Sequence, residues 1–223
     1  MDWQAFRLSL LLGLGTAVIL IPAGLVLART LAWRRFPGRS LVQGAVALPL
    51  VLPPTVLGYY LLVAFGPGGF PGGLYERLAG QPLVFTFEGL ILASIIINLP
   101  FAIQPMQRGF ESIPQALREA AWCSGLSAWR TFLNIELPLA WPGILAAIVL
   151  TFAHTLGEFG VVLMVGGSIQ GETRTISISI YDRVQAFDNA SAGLMSAVLL
   201  GLSFAAIAFI YMLNERLGRD RVW

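Results

Sequence analysis

The sequence predicts an all-α fold: a polytopic integral membrane helical bundle of five transmembrane helices, with one polar helix–turn–helix between the third and fourth. Three observations predict it. The 223 residues are 57% hydrophobic and 12% charged, with mean hydropathy +0.76, against about 25% charged in a soluble domain. The charges are gathered between long uncharged stretches, each close to the ~20 residues a helix needs to cross the hydrocarbon core. The arginines, in a chain that has no lysine, collect on alternate sides of those stretches.

The uncharged stretches cover 8–28, 40–65, 89–107, 137–157 and 189–214. They place spans at about 8–28, 41–66, 87–107, 138–163 and 190–213, in a single membrane domain over 1–223, with a cytoplasmic loop at 108–137. Segment 159–171 is too short and glycine-rich to cross alone, and reads as a continuation of the fourth span or a re-entrant turn. The first stretch carries its basic charge mainly after the apolar run, as a retained anchor does and a cleaved signal peptide does not.

Orientation follows from the arginines. Arg29, Arg34, Arg35 and Arg39 follow span one, Arg108, Arg118 and Arg130 follow span three, and Arg216, Arg219 and Arg221 follow span five. Only Arg7, Arg77, Arg174 and Arg183 lie on the other side. Positive charge is retained in the cytoplasm, so the amino terminus is expected outside and the carboxyl terminus inside. The net charge of +2 comes from these loops and gives no reason to expect nucleic acid as a partner. The lone Cys123 has no partner for an intrachain disulfide and reads as a helix-packing residue.

The 108–137 loop has its own punctuation. Ser112 to Gln115 has capping-box spacing and Pro114 suits a first turn, so a short helix is expected over about 113–123. Gly125 supplies a left-handed residue to end it. Ser127 can cap a second short helix, which Leu137 and Pro138 are expected to terminate. Ala120 and Ala121 are small enough to let another surface approach the helix backbone while keeping helicity.

Glu119-Ala120-Ala121, three residues, Gly125, nine residues, then Ile135, one residue and Leu137-Pro138 resembles, at every fixed position, the coupling loop of bacterial ABC-importer permeases. That resemblance implies a type I ABC importer permease fold and a separate ATPase subunit, with Glu119 facing a basic residue in a groove of that subunit. Trp122 and Leu126 are then apolar anchors by our own inference. The competing reading is an amphipathic loop lying on the membrane surface. Residues 48–60 and 156–181 further resemble the molybdate importer permeases, whose sulfate and thiosulfate counterparts carry similar segments; tungstate also remains open. The resemblance implies two copies of the ATPase, a periplasmic or lipid-anchored molybdate-binding protein and a second copy of this chain as partners, with membrane lipid around it, and places the chain itself in the bacterial inner membrane.

The spans carry features compatible with oxyanion passage. Pro49, Pro53 and Pro54 fall inside span two, where each removes an amide donor and forces a kink or break. Counting ~1.5 Å per residue puts Pro53 and Pro54 near mid-membrane, where irregular backbone is tolerated only against protein or a water-filled cavity. Thr55 adds a hydroxyl. Pro53, Pro54 and Thr55 are therefore candidate pathway residues, with helix packing as the alternative for any one proline. Gly157, Glu158 and Gly160 are a candidate outer gate. Glu158 would repel a dianion, so it is expected to pair with an arginine or cap a helix. His154 is the only histidine and reads as a hydrogen-bonded packing residue with no acid at relay spacing. Gly193, Ala197, Gly201 and Ala205 form a small-residue stripe on span five, open to intrasubunit packing or to a dimer contact.

The chain has no Walker A motif, no constellation for membrane-embedded catalysis, no metal site and no implied cofactor. A transport subunit is expected, not an enzyme. An ATP-independent channel or secondary transporter is the rival from another class.

Overall fold

Asp2 opens the first helix by accepting a hydrogen bond from the Ala5 amide at 3.0 Å. From there α1 runs unbroken from Trp3 to Trp33. A computed structural model describes residues 1–219; Arg221, one of the arginines that set the expected orientation, lies outside them. The remaining helices are α2 (Arg39–Val51), α3 (Pro54–Phe65), α4 (Phe70–Ala79), α5 (Phe87–Glu111), α6 (Gln115–Cys123), α7 (Ala128–Thr131), α8 (Leu137–Gly157), α9 (Gly160–Gly166), α10 (Ile176–Gln185) and α11 (Asn189–Arg219). A π-helical turn, Phe132–Glu136, joins α7 to α8.

Among the described residues, four helices are long and apolar enough to cross a membrane: Trp3–Trp33, Phe87–Glu111, Ala128–Gly157 and Asn189–Phe209. Helices α2 and α3 pass that test only as a pair, bent by 114° at the break, and make a fifth candidate span. The break falls at Leu52 and Pro53, both extended. Two successive proline rings at 53 and 54 remove two amide donors, which a continuous helix does not tolerate.

The centre of the bundle is α1, α5 and α8, joined through Leu20, Ala28, Ala102, Met106, Ala140 and Ile144, all buried. A second cluster packs α3 and α9 against α5 through Leu61, Phe65, Ala93, Ile97, Val161 and Val165. Helices α5 and α8 flank the 108–137 loop and cross with their backbones in contact. A Cβ built on Gly143 would lie 2.5 Å from the Pro105 carbonyl oxygen and 3.0 Å from the Gly109 Cα. Only glycine fits there, so this crossing fixes the spacing of the loop's two ends.

A single helix does not fill the fourth span expected over 138–163. Helix α8 stops at Gly157 and Glu158 is extended, with φ −69° and ψ 131°. The 159–171 segment starts a separate seven-residue helix, α9, which Glu158 caps through the Val161 amide at 2.9 Å. It is tied to the loop before α5 by the Phe85 amide donating to Val165 at 2.9 Å. A Cβ added to Gly193 or Gly201 on α11 would meet nothing within 4 Å, so the small-residue stripe is not used for packing within the described residues.

Candidate functional site

In the 108–137 loop, chemistry and geometry converge on α6. Its start differs from the expectation: Ser112 ends α5 and donates to the Gly109 carbonyl at 2.9 Å. Pro114 takes the N-cap position with no side-chain cap, so the capping box is not formed. Ser112 is already satisfied by the helix behind it.

The end of α6 is a Schellman turn. The Leu126 amide donates to the Ala121 carbonyl at 3.1 Å and the Gly125 amide to the Trp122 carbonyl at 3.0 Å. Gly125 sits at φ +79°, the left-handed region in which this motif places its glycine. Ser127 then caps α7 by accepting from the Arg130 amide at 3.3 Å.

Leu137 and Pro138 do not terminate that second helix. Residues Ala128–Gly157 form one helical run, with the Leu137 amide donating to the Phe132 carbonyl across the π turn. A proline ring in a regular α-turn would collide with the carbonyl four residues earlier; the wider π turn gives it room. Leu137 packs on the central core, and Ile135 is half-buried.

Along α6 only Arg118 and Ala121 turn inward, while Glu119, Ala120, Leu117 and Trp122 are exposed. Glu119 accepts from the Gln115 amide group at 2.6 Å, and Cys123 is exposed rather than packed. The inward contact is the feature that sequence reasoning missed. Glu136, the unspecified residue between Ile135 and Leu137, is fully buried. Its carboxylate accepts from Arg118 Nε at 3.0 Å and from Arg29 Nε at 2.6 Å. The Arg118 guanidinium also lies 3.6 Å from the centre of the Trp33 ring. One carboxylate thus joins the end of α1, the exposed helix α6 and the foot of α8. An acid one residue from an apolar span, with arginines in both neighbouring loops, was the available signal.

Of the candidate pathway residues, Pro54 and Gly160 are brought together. Pro53, Pro54 and Thr55 are exposed at the break between α2 and α3. A Cβ on Gly160 would lie 2.8 Å from Pro54 Cβ, so the α9 start abuts the break; Gly157 has open space around it. His154 does have an acid beside it, contrary to expectation: Glu158 lies four residues on, 3.9 Å from Nε2. The ring also stacks on Phe101 at 4.0 Å, and its Nδ1 lies 3.1 Å from Asn98 Oδ1. Asn98 donates to the Ser94 carbonyl at 2.8 Å and to Thr155 Oγ1 at 3.0 Å. Its Oδ1 can only accept, so His154 Nδ1 carries the proton.

The family model for the binding-protein-dependent transport system inner membrane component matches residues 20–219. The chain belongs to this family. It is 44% identical over 210 residues to a molybdenum transport system permease protein of Azotobacter vinelandii, covering 94% of this chain and 93% of that one. The counterpart in Escherichia coli K12 is 35% identical over 218 residues, covering 98% and 94%. Among solved structures, a bacterial ABC transporter that imports the acidic polysaccharide alginate superposes with TM-score 0.72 at 20% identity, covering 98% of this chain and 79% of that one. That likeness shows the fold, the type I importer permease bundle. Membership makes the chain a transport subunit, not an enzyme, and a multi-pass protein of the inner membrane.

Proposed function

We propose that this chain is the membrane-spanning subunit of an ATP-driven importer for molybdate, with the 108–137 loop as its coupling element. The observation that carries the reading is α6 itself: it offers Glu119, Ala120 and Trp122 outward and is held to the bundle by Arg118 on Glu136. The relatives named for molybdenum transport support the substrate. The loop lies on the cytoplasmic side, with the amino terminus outside and the carboxyl terminus inside. Two copies of the chain form a two-fold pair, with the outward small-residue stripe of α11 available to it, and each engages one ATPase subunit. A periplasmic or lipid-anchored molybdate-binding protein delivers the anion, because uncharged spans offer no cation for tight capture.

Closure of the ATPase pair around ATP draws the two α6 helices together. The Arg118–Glu136 contact passes that displacement to the foot of α8 and, through Arg29, to α1. The bundle rocks, and the break at Pro53, Pro54 and Thr55, faced by Gly157, Glu158 and Gly160, changes its access. The ATPase must contact the two permease states differently for this to work.

Proteoliposomes holding the chain, its ATPase and the binding protein test the reading. ATP-dependent uptake of molybdate is expected, with Glu119→Ala and Gly125→Val abolishing it while the protein stays in the membrane. Uptake without the ATPase, or full uptake by both variants, overturns it. The exposed Cys123 reports topology directly: a membrane-impermeant maleimide should label it in inside-out vesicles stripped of ATPase and not in intact cells. Competition by tungstate and sulfate in the same uptake assay ranks the oxyanions.

A further inference from the structure

We propose that the cavity between the end of α1 and the α6–α7 elbow binds the head group of an anionic phospholipid from the cytoplasmic leaflet. The inference rests on the reading that places this loop in the cytoplasm.

The cavity holds about 740 Å³ and is lined by Arg29, Arg34, Arg118, Trp33, Trp122 and Trp129. Three guanidiniums face it against one carboxylate, Glu136, which is buried beneath two of them. The balance is two positive charges. Arg29 and Arg118 each reach Glu136 through Nε; a guanidinium has five N–H donors, so both have donors left for a phosphodiester. Arg34 is exposed and makes no ion pair among the described residues. A basic pocket beside transmembrane helices on the cytoplasmic side has the chemistry that holds anionic head groups, and tryptophans settle at the membrane–water boundary.

The cavity also opens onto a track for acyl chains. Val18, Pro22 and Val26 lie four residues apart on α1, with Ile19 beside Val18, and all are exposed, so an apolar stripe leads from the arginines up the span. Val26, itself 68% exposed, lines the cavity and begins the stripe. A soluble ATPase cannot follow that stripe into the membrane; a phospholipid matches charge at one end and hydrocarbon at the other.

Native mass spectrometry of the importer complex, equilibrated with equal phosphatidylglycerol and phosphatidylcholine, tests this. Wild type should retain phosphatidylglycerol in preference to phosphatidylcholine. Arg34→Gln should reduce that retention about five-fold, as expected for one arginine near an anionic surface, and Trp129→Ala should reduce it as well. Equal retention of both lipids by wild type overturns the proposal, as does unchanged retention in both variants. So does efficient cross-linking of the Val26→Cys variant through that position to the ATPase or to a second copy, which would put protein in the cavity. The bound ATPase is weighed in the same spectra. A failed coupling assignment therefore shows as a missing subunit, and a failed lipid assignment as a missing lipid.

Discussion

Arg118 on α6 and Glu136 at the foot of α8 stand 3.0 Å apart, Nε to Oε1, with the carboxylate fully buried and the arginine side chain partly so. They lie 18 positions apart in the chain, and the loop they close runs from the middle of α6 through Gly125 and α7. Helix α6 has otherwise only Ala121 buried. Any force applied to its exposed face reaches the bundle mainly through this ion pair and through the covalent chain.

Glu136→Ala should be the most damaging single change in the loop. It leaves Arg118 and Arg29 facing each other without the carboxylate, and removing one partner of a buried ion pair costs about 3–5 kcal/mol. Arg29→Ala should cost less, because Arg29 is a third exposed and Glu136 keeps Arg118. Thermal unfolding of the detergent-purified protein gives the ranking. A double-mutant cycle between positions 118 and 136 should show strong coupling in both stability and uptake; additive effects in uptake would remove the pair from the transmission route.

The elbow shows how far sequence reaches and where it stops. Gly125 and Ser127 are legible because each does a local job, a left-handed residue and an N-cap, that depends on a few neighbouring atoms. Glu136 is not, because its role is set by Arg29, 107 residues away, and by Arg118. The continuity through Leu137 and Pro138 escapes sequence for a similar reason: proline punctuation assumes an α-turn, and the π turn before it removes the conflict. The spans are legible from uncharged length. The break at Leu52 and Pro53 is legible as a kink, but neither its 114° bend nor the close approach of Gly160 to Pro54, more than a hundred residues on, is written in the local sequence. The ending of α8 at Gly157 depends on Glu158 capping the next helix, a choice between two roles that sequence leaves open.

Gly143→Val should prevent α5 and α8 from closing. Even a methyl there would meet the Pro105 carbonyl oxygen at 2.5 Å, and backbone cannot yield as a flexible side chain can. Overpacking of this kind costs about 1–3 kcal/mol or more, so folded yield and thermal stability should drop. Gly109→Ala, whose new methyl would lie 3.0 Å from the Ala140 oxygen, should be milder. Equal tolerance of both substitutions would mean the helices do not cross in backbone contact.

Gly160 and Gly157 should separate sharply although they flank the same turn. A methyl at Gly160 would press on Pro54 at 2.8 Å and push α9 away from the broken span, whereas at Gly157 nothing lies within 4 Å. Gly160→Ala is expected to lower uptake several-fold. Gly157→Ala should leave stability unchanged or raise it, by up to about 1 kcal/mol from the better helix former. Uptake and melting temperature measured on both variants decide whether the α9–Pro54 contact matters to transport.

Asn98 and His154 should behave as a donor–acceptor pair rather than as a proton relay. Asn98 is fully buried and makes hydrogen bonds to Ser94, Thr155 and His154. Asn98→Leu removes all three; the two to Thr155 and His154 join α5 to α8, and with helix–helix hydrogen bonds in membranes worth about 0.6 kcal/mol each on average, a loss of about 1 kcal/mol follows. His154→Phe keeps an aromatic ring against Phe101 and removes only the bond to Asn98, so it should lose less stability and retain most uptake. A relay role predicts the reverse for uptake: His154→Phe would then abolish it at unchanged stability, and the nearby Glu158 would have to be reassigned from helix cap to proton partner.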